Sequence, residues 1–179
     1  MRSLFCAALA VLALQPAMTR DARAAPVRWS GNGHLYEVRH VPEGLSWPQA
    51  LLRAEALGCG WHLATPTSAA ENAFVFGLAR KRPEVFTGGG ILGPWLGGFQ
   101  KNARDEPAGG WRWVTEEAFT YVNWNRGEPN DIRNDEAFLN FWDDGAWNDV
   151  DAFGTIGELP KGFIVEFDTA RQSRCRKLG

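Results

Sequence analysis

From Glu128 to Asp151 the chain carries eight acidic side chains, Glu128, Asp131, Asp135, Glu136, Asp143, Asp144, Asp149 and Asp151, against one basic residue, Arg133. Within this stretch GEPNDIRNDE (127–136) sets a carboxylate and a carboxamide on either side of a proline, and GAWNDVD follows a few residues later. A fold that gathers these segments must either spread their charge into solvent or supply a positive partner that the sequence lacks. Between Trp124 and Phe138 there is no helical or strand period, and a connection of that length is functional or mobile.

The frame around it is modest. A chain of 179 residues with 45% hydrophobic content is enough for one substantial core, so one domain is expected. The N-terminus reads as a cleaved secretion signal over residues 1–24. Arg2 supplies positive charge, LFCAALAVLAL is an apolar run too short to span a membrane, and Ala22-Arg23-Ala24 is a small-x-small cleavage site. Loss of that segment removes Arg2, Arg20, Arg23 and Asp21, so the formal charge goes from −2 to −4. A mildly acidic domain argues against nucleic acid and against anionic membrane as partners, and no membrane insertion is expected after signal cleavage. Cys59 and Cys175 remain, able to form one disulfide or to stay free, and spacing alone does not establish their reach.

HLYEVRHV (34–41) alternates like a strand. SWPQALLRAEALG then starts like a helix, with Ser46 as cap, Gln49 completing a capping box, Pro48 tolerated in the first turn and Gly58 as a stop. A second helix follows with Ser68 and Glu71 as its box and Ala73, Phe74, Phe76, Leu78 and Ala79 as its apolar face. From Gly88 onward the runs PWLGGFQ, WRWV, FTYVNW, FLNFW and GFIVEF read as short strands of a mostly antiparallel sheet. The fold class is α+β, two helices packed on small antiparallel sheets with a long loop. The basic end, residues 169–179, reads as a frayed tail.

Glu128, Asn130, Glu136, Asn148 and Asp149 offer oxygen donors without histidine or thiolate. That set suits a hard divalent cation, calcium above magnesium, and argues against zinc or copper. A generic acidic run is more often a solvated surface. Three features favour a site here. A cis Glu128–Pro129 bond would let Glu128 and Asn130 point to the same side. Trp147 can anchor in the core the strand that carries Asn148 and Asp149. Gly127 and Gly145 supply bends.

With these residues the chain resembles a C-type lectin domain over residues 33–168. The resemblance rests on SWPQALLRAEALGCGWHLATPTSAAENAFV for the helices, PWLGG for a family strand, YVNWNRGEPN for the long loop, and WND before GFIVEF. It implies that Glu128, Asn130, Glu136, Asn148 and Asp149 bind calcium and also carbohydrate, as a secreted or periplasmic lectin. A calcium-bound carboxylate still accepts from a hydroxyl, and a bound carboxamide still donates. The order Glu-Pro-Asn implies the vicinal equatorial hydroxyls of mannose, glucose or fucose rather than galactose. This resembles the cysteine-poor bacterial versions, because Ala54, Val165, Phe138 and Ala152 stand where the family's two disulfides would be. Asp131 is a conditional ligand of an auxiliary ion that Ala137 does not support.

Trp47, Trp61, Trp95, Trp111, Trp113 and Trp124 read as core residues, Trp142 lies close to the candidate site, and His62 reads as structural. His34 and His40 have no partner that the sequence identifies. Paired carboxylates are also the equipment of glycoside hydrolysis, but a bound calcium would hold them ionised and engaged, so no enzyme is expected. The alternative is a lectin-like module that binds a protein or other surface, with calcium only ordering the loop.

Overall fold

The structure, a computed structural model, describes residues 25–101, 107–154 and 157–176, with side chains to residue 174. The signal read over residues 1–24 lies outside the described residues. Among the described residues no helix is long and apolar enough to cross a membrane.

The elements run β1 (Val27–Arg28), β2 (Leu35–His40), α1 (Trp47–Glu55), β3 (Trp61–Leu63), α2 (Ala69–Ala79), β4 (Trp95–Gln100), β5 (Trp111–Trp113), β6 (Phe138–Phe141), β7 (Trp147–Val150), β8 (Gly162–Phe167) and α3 (Thr169–Arg176). The strands join in one eight-stranded sheet of order β1-β2-β8-β4-β6-β7, with β3 added on β8 and β5 on β4. Every pairing is antiparallel except β4 with β8, which meet in parallel at Trp95 and Phe163. The α+β class read from the sequence therefore holds. Two local expectations do not. FTYVNW forms no strand and contributes only an isolated bridge from Trp124 to Trp147. Thr169–Arg176 is a helix where a frayed end was expected.

α1 begins as its sequence dictates. Ser46 accepts from the Gln49 N–H while the Gln49 side chain accepts from the Ser46 N–H at 3.0 Å, which satisfies two orphan donors of the first turn. α2 is capped on one side only. Ser68 accepts from the Glu71 N–H, but the Glu71 carboxylate turns away and accepts from the Thr67 N–H at 2.8 Å and hydroxyl at 2.9 Å. The helix also buries Asn72 and Val75, which the apolar pattern passed over.

That turn of Glu71 belongs to a buried network beneath the first strands. The Tyr36 hydroxyl, fully buried, donates to Glu71, lies 3.0 Å from Glu166 Oε1, and accepts from Asn32 Nδ2 at 2.8 Å. His34 Nδ1 meets Glu166 Oε1 at 2.6 Å, and its Nε2 is 3.6 Å from Asp168. His34 thus has partners that sequence reading did not find, and its hydrogen bond to Glu166 holds its pKa above the ordinary histidine value. Burial likewise holds the Glu71 carboxyl above its ordinary range.

Two apolar clusters fill the interior. One gathers Trp111, Trp113, Phe141 and Trp147 with α2 residues. The other gathers Trp47, Trp95, Ala54 and Val165 around α1 and β8. Trp61 and Trp124 pack on these clusters while partly exposed, and His62 is buried with a ring nitrogen 2.8 Å from Leu63 O, a structural role as expected. Cys59 is disulfide-bonded. Its sulfur lies against the Arg171 and Gln172 carbonyls of α3, the helix that also carries Cys175, whose side chain is outside the described residues.

Tyr36→Phe deletes the hydroxyl held between two buried carboxylates, with the rest of the ring retained. Chemical denaturation is expected to register a loss of about 1–3 kcal/mol, and an unchanged midpoint would remove the network from the list of stabilising interactions.

Candidate functional site

The acidic segment is held by the strand that follows it. On β7 the side chains alternate, so Trp147 and Asp149 share one face. Trp147 is fully buried, its indole N–H donates to Asn72 Oδ1 at 2.7 Å, and its ring meets Trp113 and Trp124 edge-on at 5.6 and 5.7 Å. Trp147 N–H donates to Asn123 O at 2.8 Å and Asn125 N–H to Trp147 O at 2.9 Å, so the start of the loop is stitched to β7. Gly145, at φ +90°, makes the turn into this strand, and a Cβ there would stand 2.6 Å from the Phe76 ring.

Asp149 then fastens the loop itself. Its fully buried carboxylate accepts from the Asn130 N–H at 3.1 Å and from the Asp131 N–H at 2.9 Å. Glu136 Oε2 accepts from the Ile132 N–H at 2.9 Å, and Asp131 Oδ1 accepts from the Glu136 N–H at 3.1 Å. The Glu128–Pro129 peptide is cis, the isomer that the sequence reading required for Glu128 and Asn130 to point to the same side. Asp131, Arg133 and Asn134 all adopt positive φ, which gives the segment a tight irregular path.

Glu128, Asn130, Glu136 and Asn148 line one cleft of about 350 Å³ together with Ile91, Trp142 and Asp151. Four of the five residues singled out from the sequence thus face a common space, and Asp149 lies directly behind them, bound to the loop backbone. Asp135 is exposed at the rim. Sequence reading left Trp142 open and passed over Ile91 and Asp151. The indole N–H of Trp142 is buried without a partner among the described residues, and no local pattern signals that.

The electrostatics are uncompensated. Burial pushes the Glu128 carboxyl up to about 8, and the neighbouring Asp149 and Glu136 carboxylates push the same way. Burial pushes Glu136 up to about 7, against the Ile132 N–H, with Asp149, Asp131 and Asp151 adding repulsion. Glu128 Oε2 is buried with no hydrogen-bond partner among the described residues. Arg133, the cation of the segment, also lines the cleft but is exposed, and it does not offset the shift of either carboxyl.

No protein-family model matches the chain. The chain is 33% identical over 130 residues to ladderlectin of Oncorhynchus mykiss, covering 70% of this chain and 63% of that protein. It is 30% identical over 112 residues to a perlucin-like protein of Mytilus galloprovincialis, covering 61% of this chain and 64% of the relative. The chain therefore spans less than two thirds of the length of either. Among solved structures, the C-type lectin CEL-I of Cucumaria echinata superposes with a TM-score of 0.61 at 24% identity, over 80% of this chain and 97% of that one. The chain carries a C-type lectin domain. The lectins among these relatives belong to a non-enzymatic family, in keeping with the expectation that the paired carboxylates are not a hydrolytic acid and base.

The donors of this lectin domain suit a hard cation. All five candidates bind through oxygen, each carboxylate oxygen keeps lone pairs beyond its N–H bonds, and the orphaned Glu128 Oε2 is an acceptor in want of a positive neighbour. As they stand, no three His, Cys, Asp or Glu side chains among the described residues form a ready-made metal cage. Two of the five donors, Asn130 and Asn148, are carboxamides.

The raised carboxyls have a consequence for the cation-free protein. Their folded pKa values exceed the ordinary value of 4.5, so their contribution to stability is full below that value and is lost as pH rises through about 7 and 8. In chelator, the thermal midpoint is expected to fall between pH 6 and pH 8.5, and Glu128→Gln should flatten the upper part of that fall. A midpoint that rises over this range would contradict the buried, uncompensated placement.

Proposed function

We propose that this lectin domain binds carbohydrate through a calcium ion held by Glu128, Asn130, Glu136, Asn148 and Asp149. The observation that carries the reading is the cleft of about 350 Å³ lined by four of these oxygen donors, with three carboxyl groups in and behind it that lack a compensating charge. When bound, calcium supplies coordination to two neighbouring sugar hydroxyls. The chain's own part is to fix direction. The carboxylates of Glu128 and Glu136 accept hydroxyl protons, and the carboxamides of Asn130 and Asn148 donate N–H to hydroxyl oxygens. Trp142 adds a further donor at the cleft wall, since its N–H is otherwise unpartnered among the described residues. Acceptor before donor in Glu128-Pro129-Asn130 favours vicinal equatorial hydroxyls of the mannose, glucose and fucose kind.

The proposal extends to place and to valency. Extracellular calcium modules bind on the order of 0.1 to 1 mM, so a secreted or periplasmic location fits the site. A single shallow site binds sugar weakly, and useful avidity needs several copies presented together.

Retention on mannose resin in calcium, with elution by chelator, is the expected behaviour, and failure to bind any glycan at saturating calcium would defeat the sugar reading. Glu128→Gln combined with Asn130→Asp exchanges acceptor and donor and should redirect preference toward galactose while calcium binding persists. A calcium-dependent rise in thermal stability that no sugar alters would favour the alternative, a protein partner for a calcium-ordered loop. Because calcium must displace protons from Glu128 and Glu136, its affinity should rise with pH from 6 to 8.5. An affinity independent of pH over that range would exclude these two carboxyls as ligands.

A further inference from the structure

A second cleft, of about 270 Å³, opens beside the first. Its lining includes Gln100, Lys101, Asn134, Asp135, Asp151 and Phe153. Asp135 and Asp151 line both clefts, so the two spaces are neighbours that share these two walls at the rim of the acidic loop. None of the other residues just named belongs to the calcium donor set.

Two side chains in this cleft are unusual. Phe153 is 72% exposed, the most exposed large apolar residue among those described, although its backbone is fixed by an N–H bond to Asp151 Oδ1 at 2.6 Å. One exposed phenylalanine is ordinary on a protein surface. Its position on a polar cleft that adjoins the candidate sugar site is not. Gln100 is 93% buried, its exposure being 7%, and its Nε2 donates to the Pro107 and Gly109 carbonyls at 3.0 and 2.6 Å. That leaves Oε1 as a buried acceptor without a partner among the described residues. An acceptor of this kind is costly unless a donor reaches it.

The combination has a definite chemistry. A flat apolar ring suits the C–H face of a pyranose, while the carboxylates of Asp135 and Asp151 accept from hydroxyls and Lys101 donates to them. A hydroxyl proton directed to the floor of the cleft would satisfy Gln100 Oε1. A protein segment or an anion fits less well, because the lining mixes acidic acceptors with a single cation and offers no extended apolar surface or unpaired sheet edge.

We propose that the second cleft is a saccharide subsite adjoining the calcium-centred one across Asp135 and Asp151, so that the domain recognises at least two linked pyranose units, with the second ring stacked on Phe153. The inference rests on the reading of the first cleft as the site of the first sugar. It makes Phe153 and Gln100 determinants of affinity for oligosaccharides and not for single sugars.

The test is calorimetric titration of the full chain in saturating calcium with methyl α-mannoside and with a set of α-linked mannobioses. Wild type is expected to bind at least one mannobiose about fivefold or more tightly than the monosaccharide. Phe153→Ala should bring that mannobiose to the level of methyl α-mannoside, whose own affinity stays unchanged. Saturation of aromatic protons in wild type should transfer magnetisation to both rings of the bound disaccharide, a reading that needs no variant. Equal affinity for both sugars in wild type, a disaccharide advantage that survives Phe153→Ala, or transfer to one ring alone overturns the subsite and leaves the calcium site standing. Binding of neither sugar overturns the calcium-site reading, and the subsite falls with it.

Discussion

The long acidic loop hangs on the Asp149 carboxylate. Fully buried on β7, it takes the N–H groups of Asn130 and Asp131, and in doing so ties fourteen residues of irregular chain, 124–137, to the sheet. Backbone donors stabilise an ionised carboxylate, but they bring no net charge. Glu128 and Glu136 are drawn in behind the same attachment, and each is pushed toward its protonated form by burial and by the charges around it. The tether that shapes the loop thus also creates its electrostatic deficit. A divalent cation at that point would resolve the deficit, whereas salt in bulk solvent reaches buried charges only weakly.

The frame that makes this tether effective is built from packing. Ala54 and Val165 are fully buried in one core cluster, where the family resemblance implies a disulfide, and Phe138 lies 4.7 Å from the Trp47 ring at another such position. Apolar packing, aliphatic at one place and aromatic at the other, stands in for cross-links. The exchange gives up a constraint on the unfolded chain and keeps contact in the folded one. The indole of Trp147 joins α2, β5 and the segment before the loop.

Local chemistry was legible in the sequence wherever it is decided within a few residues. The Ser46–Gln49 capping box follows from neighbours in the chain, and the Glu-Pro pair marks where a cis peptide is open to the chain. What escaped depends on distant partners. Glu71 has the spacing of a capping box, yet Tyr36, 35 residues away, draws its carboxylate inward. FTYVNW has strand-like residues, but only Trp124 finds a bridge, because its aromatic side chains serve the core from a loop. The parallel meeting of β4 and β8 has no periodic signature at all. The second cleft was invisible for the same reason. Gln100 and Phe153 are 53 residues apart and acquire meaning only once the sheet has placed them beside Asp151.

On this proposal the acidic segment is a single site for one divalent ion. The most direct measurement is calorimetric titration of the full chain with calcium chloride at pH 8. A saturable isotherm with one ion per chain is predicted, with a dissociation constant on the order of 0.1 to 1 mM, together with loss of that isotherm in Glu136→Gln. Absence of saturable binding, or an isotherm that Glu136→Gln leaves intact, would contradict it.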